Sequence, residues 1–182
     1  MKQNLLQSKL ISVAQAIEMH EEYEKTLAPL IETRNNGQYQ ATEFAWIDFE
    51  VLKQYVTMLE EVATLNNKDI SGVRIYFGAY PESSNFKSSG VEINFPGRET
   101  IFMAPTIEVS ASKLSDEFEN LENLPFSIDP YDLNPLEGDF VIIEKLLHEN
   151  DNEVFNNVIN GKETTSLILN NLALTPPPKG HQ

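Results

Sequence analysis

Apolar side chains recur at three- and four-residue intervals from Phe49 to about Leu65, where Leu52, Tyr55, Val56, Leu59, Val62 and Ala63 form one continuous stripe. Asp48 stands before the stripe as a natural N-cap and Asn66, Asn67 and Lys68 close it, so the spacing predicts a helix. A second helical run starts with Ser12 as N-cap and continues to about Ile31. Pro29 removes a backbone bond inside that run, at a cost of ~3 kcal/mol, and predicts a kink or an end there. Asn35, Asn36 and Gly37 then make a turn. Elsewhere the period drops to two. Thr42 to Ile47 alternates as a strand, with Thr42, Phe44 and Trp46 on one face. Gly72 to Tyr80 is rich in β-branched and aromatic residues and is expected near the centre of a sheet, with Val73, Ile75, Phe77 and Ala79 turned to the core. Ser83 to Gly90 reads as a polar loop, Val91 to Phe95 as a brief pairing segment, and Pro96-Gly97 as a turn. Thr100 to Ala104 reads as a strand stopped by Pro105, which makes an antiparallel hairpin with a long connection.

Beyond this point the pattern is weaker. Ser110 to Asn123 suits a short helix or a solvated loop, and Pro125 to Pro135 holds three prolines, too many for regular structure. Helices are predicted over Asp139 to about His148, Asn152 to Ile159 with Gly161 as cap, and Ser166 to Leu174. Pro176-Pro177-Pro178 imposes an extended conformation on the end of the chain. Together these elements predict a single α+β domain over 1–175, a small, mainly antiparallel sheet covered on one face by helices, followed by a flexible proline-rich tail over 176–182.

Composition narrows the function classes. In 182 residues, 13 basic and 28 acidic side chains leave a formal charge of −15, a field that repels phosphate backbones and anionic lipid headgroups. Nucleic acid and membrane surfaces are therefore not expected partners; solubility is the commoner use of such charge, and steering towards a basic protein partner is the alternative. The absence of cysteine excludes disulfides, thiolate zinc sites and a thiol nucleophile. The N-terminal apolar residues Leu5, Leu6, Leu10 and Ile11 are interrupted by Gln7, Ser8 and Lys9, which breaks the continuous apolar region of a signal peptide. No stretch approaches the ~18 apolar residues of a membrane span. A soluble, cytoplasmic protein is the expectation.

Three groups of residues invite chemistry. His20 and Glu24 lie one turn apart in the stripe of Val13, Ala16, Ile17, Tyr23, Leu27 and Ile31, and a carboxylate so placed orients an imidazole for acid–base work or metal ligation. The commoner use of such a pair is a partly buried ion pair. Arg74, Tyr76, Gly78 and Tyr80 share one face of their strand, a guanidinium and two phenols suited to an anionic or planar ligand, with Arg98 on the neighbouring strand as a second cation. Glu43, Glu92 and Glu99 compete as cross-strand partners for either arginine. Asp129, Asp132, Asn134, Glu137, Asp139 and Glu144 resemble a calcium loop in composition only: aligning Gly138 and Glu144 to it puts Leu133 and Pro135 at the first and third ligand positions. Phosphate loops, nucleophile elbows and the zinc-protease helix motif are absent.

The strand Gly72-Val73-Arg74-Ile75-Tyr76-Phe77-Gly78, the segment Gly97-Arg98-Glu99-Thr100-Ile101-Phe102-Met103-Ala104-Pro105-Thr106 and the ending Asn171-Leu172-Ala173-Leu174-Thr175-Pro176-Pro177-Pro178 resemble a group of small Bacteroidetes proteins of uncharacterised activity. The resemblance singles out Arg74 and Arg98 and implies no reaction. Cysteines found near those prolines in some of the group are missing here, so no metal or redox role passes to the tail. The expectation is a non-catalytic binding protein, an adaptor or an inhibitor of the immunity type, with no cofactor. A small-molecule or enzymatic site on the Arg74, Tyr76 and Tyr80 face is the alternative, and metal-dependent hydrolysis through His20 the third.

Overall fold

A computed structural model describes residues 6–34, 40–86, 92–93, 96–108, 122–131, 134–143, 167–170 and 173–175. Contacts divide the chain into two compact units, Met1–Ala45 with Leu174–Gln182, and Trp46–Ala173.

In the smaller unit, helix α1 (Val13–Thr26) begins with a reciprocal cap: Gln15 N–H donates to Ser12 Oγ at 3.2 Å, and Ser12 N–H donates to Gln15 Oε1 at 2.9 Å. The helix ends at Leu27, and Pro29 falls in the first turn of a new helix, α2 (Ala28–Arg34), where its missing N–H breaks no bond. Strand β1 (Phe44–Trp46) and strand β6 (Ala173–Thr175) form a two-stranded sheet, of which Phe44, Ala45, Leu174 and Thr175 belong to this unit.

The larger unit is an antiparallel sheet of β2 (Ile70–Ala79), β3 (Glu99–Glu108), β4 (Asn123–Tyr131) and β5 (Asn134–Ile142), in that spatial order, packed against helix α3 (Phe49–Leu65). The protein is thus α+β. Asp48 Oδ1 caps α3 by accepting from Glu50 N–H (2.8 Å) and Val51 N–H (3.2 Å). At the other end the Asn66 side chain donates to the carbonyls of Val62 and Leu136 and accepts from Gly138 N–H at 2.9 Å, which ties the helix terminus to β5. Among the described residues no helix is long and apolar enough to cross a membrane.

Prolines do not interrupt this sheet. Met103 N–H points away from β2, to the Leu169 carbonyl at 2.9 Å, so by strand alternation the N–H that Pro105 lacks belongs on that same edge. There β3 changes partner, from Leu169 to β4 at Thr106, and Pro105 leaves no ladder bond to β2 unmade. Strands β4 and β5 likewise absorb Pro125, Pro130 and Pro135: Pro130 sits at a register shift and Pro135 is the second residue of an edge strand. The helix predicted from Asp139 is a strand through Ile142, because Phe140-Val141-Ile142 is a short, β-branched apolar run whose spacing fits either element. Of the helix predicted over Ser166 to Leu174, the described residues are not helical: 167–170 bridges β3 through Leu169 and Met103, and 173–175 is strand β6. The elements predicted over Ser110 to Asn123 and Asn152 to Ile159, and the tail from Pro176, lie in whole or nearly so outside the described residues.

The core lies between α3 and one sheet face. Val62, Phe126, Ile128 and Leu167 are buried together, with Phe126 stacked on Phe140 at 4.3 Å. Tyr55, Leu59 and Met103 continue the core toward β3. Burial holds the Tyr55 phenol up to about 12, above its ordinary value near 10. Its hydroxyl donates to the Leu167 carbonyl at 3.0 Å. The protonated form is the one folding favours, so this contribution is fully present below pH 10 and is lost as pH rises from 10 through 12. In a 295 nm titration one of the six tyrosines is expected to ionise last, together with a fall in the urea midpoint across that window.

Candidate functional site

Among the described residues strand β2 is an edge strand, not the central one expected from its sequence. Its alternation is as predicted: Val73, Ile75, Phe77 and Ala79 share the sheet face that carries Met103 and Pro105, and Arg74, Tyr76 and Gly78 share the other. What differs is coverage. Helix α3 lies over Met103, Phe126 and Ile128, and of β2 it reaches Ile70. Beyond the register shift between Ile70 and Gly72, exposure climbs from 40% at Val73 to 57% at Ile75 and 92% at Phe77. The aliphatic side assigned to the core is therefore an exposed apolar stripe, because one 17-residue helix is too narrow to roof all four strands.

The opposite face is half-buried rather than open. Tyr76 stacks on its cross-strand partner Phe102, with ring centroids 4.9 Å apart and planes 8° apart. Arg74 Nη1 donates to the Tyr76 hydroxyl at 3.4 Å. Tyr80 N–H donates to the Arg98 carbonyl at 2.8 Å, and the Tyr80 ring meets Phe86 edge-on. The register puts Arg98 opposite Tyr80 on this face, as the sequence suggested. Six residues along a strand span ~20 Å, however, so Arg74 and Arg98 stand at opposite ends of the aromatic row and do not converge on one small ligand. Arg74, Arg98 and Glu99 each hold further interactions.

His20 and Glu24 lie on α1 with Nε2 and Oε1 3.8 Å apart, and their side chains are about half exposed rather than packed into a helix contact. Glu43, from the extended segment leading into β1, joins them: one ligand atom from each of the three lies within 4.8 Å of the others. By sequence Glu43 is one of three carboxylates that compete for either arginine; the structure sets it beside His20 and Glu24. Tyr23 marks the true arrangement, since its hydroxyl donates to the Thr42 carbonyl at 2.8 Å and holds the residue before Glu43 against the helix.

In the acidic stretch, Asp129 and Asp139 face each other across β4 and β5, both exposed. Tyr131 donates to Asp139 at 3.1 Å, and this bond, with the charge of Asp139, raises the phenol above its ordinary value. This is strand geometry, not a calcium loop. Comparison with protein families, with curated proteins and with solved structures returns no match.

Proposed function

We propose that the protein is a non-catalytic binding protein that docks an extended, basic segment of a partner protein along the outer edge of β2. The exposed stripe Val73, Ile75 and Phe77 on an edge strand is the observation that carries this reading. An edge strand offers backbone N–H and C=O groups to an added strand, and alternate side chains offer apolar contacts that set its register. Natural edges are commonly blunted by lysine, proline or a central bulge. Between Val73 and Ala79 the strand carries Arg74 as its one charge and none of those devices. Exposed Asp69 and Glu82 bracket the strand at its two ends, and with the net charge of −15 they favour a segment flanked by lysine or arginine.

Panning a random peptide library on the protein tests this. Enriched sequences are expected to alternate β-branched or aromatic residues and to carry basic flanks. Their affinity for a Phe77→Glu variant is expected to fall at least tenfold, while the unfolding midpoint of that variant moves little, because a side chain 92% exposed contributes almost nothing to the core. Peptides that bind wild type and Phe77→Glu equally, or no enrichment at all, would overturn the proposal.

A further inference from the structure

We infer that His20, Glu24 and Glu43 form a binding site for a divalent transition-metal ion, with zinc as its fitting occupant. The site lies wholly within the smaller unit and is independent of the β2 edge.

Three features lead there. His20 and Glu24 are four residues apart on a capped helix, so both project from one face. Glu43 arrives from a separate segment and is placed by a bond that none of the three makes, Tyr23 to Thr42. The result is an imidazole and two carboxylates gathered from two elements with ligand atoms no more than 4.8 Å apart. Tetrahedral zinc, bound at about 2.0–2.1 Å to nitrogen and oxygen, needs ligand atoms about 3.4 Å apart. Half-exposed side chains close that difference by rotation about their own bonds, without movement of the backbone.

The donor set chooses the ion. An imidazole nitrogen suits zinc and its neighbours in the first transition row, whereas calcium and magnesium take oxygen donors in larger number. Three protein ligands at an exposed position leave the fourth coordination site to water or to an incoming group. Glu21, one turn from Lys25 on the same helix and bonded to it at 3.0 Å, is outside the set and serves as a control.

The test uses the full chain, freed of metal by chelation, carrying His148→Ala and His181→Ala so that the remaining histidines contribute no background. Zinc titration by calorimetry is expected to show one site, and cobalt(II) is expected to give the visible absorption of a low-coordinate ion. His20→Ala, Glu24→Gln and Glu43→Gln should each weaken zinc binding at least tenfold, and Glu21→Gln should leave it within twofold. All four positions are exposed or half-buried, and circular dichroism verifies that each variant keeps its helix content. Zinc binding no tighter than in the His20→Ala variant, or a site untouched by Glu43→Gln, would overturn the assignment.

Discussion

Gly138→Ala is expected to lower stability by about 4 kcal/mol or more, a large fraction of the roughly 5–15 kcal/mol that holds a typical domain folded. A β-carbon at Gly138 would sit 2.7 Å from the carbonyl carbon of Asp129, closer still to its oxygen, and 2.8 Å from Ile128 Cγ2. Overpacked cores usually relax by moving side chains and lose about 1–3 kcal/mol. Here the obstacle is the backbone of the neighbouring strand, next to the register shift at Pro130, and it cannot yield without parting β4 from β5. Parting them also takes Gly138 N–H from Asn66 and frees the end of α3. Far-ultraviolet circular dichroism through a thermal scan would measure the loss. A midpoint within a few degrees of wild type would mean that the two strands are not held at this separation.

The second large effect is expected at Phe126. Its side chain has no solvent exposure, stacks on Phe140 and packs against Val62, Ile128 and Leu167. Phe126→Ala removes that contact and leaves a void that the surrounding side chains fill only in part, for a cost of about 3–5 kcal/mol. Phe126→Leu retains much of the volume and should cost less than half as much. Urea titration reads both, and an alanine variant as stable as the leucine variant would place the core elsewhere. Either outcome bears on function, since the β2 edge is presented by the sheet that this core supports.

Much of the hairpin and both longer helices could be read directly. Ser12 with Gln15, and Asp48 ahead of a 3–4 spaced stripe, are local signals: the cap and the helix it starts are within one turn of each other. The same local logic failed over Pro125 to Tyr131, over Phe140 to Ile142 and at 167–170. Whether Phe140-Val141-Ile142 coils or extends depends on an available strand edge, and whether a proline is tolerated depends on which side of the ladder lacks a partner. Neither fact is present in neighbouring residues.

The candidate sites divide along the same line. The pairing of His20 with Glu24 and the alternation of β2 follow from helical and strand periods, so sequence alone determined them. Tertiary structure decided that Glu43 completes the first, through a hydroxyl bond made 19 residues away in the chain. It also decided that the aliphatic side of β2 is exposed, because periodicity assigns residues to faces, while the reach of a helix lying over other strands determines which part of a face is covered.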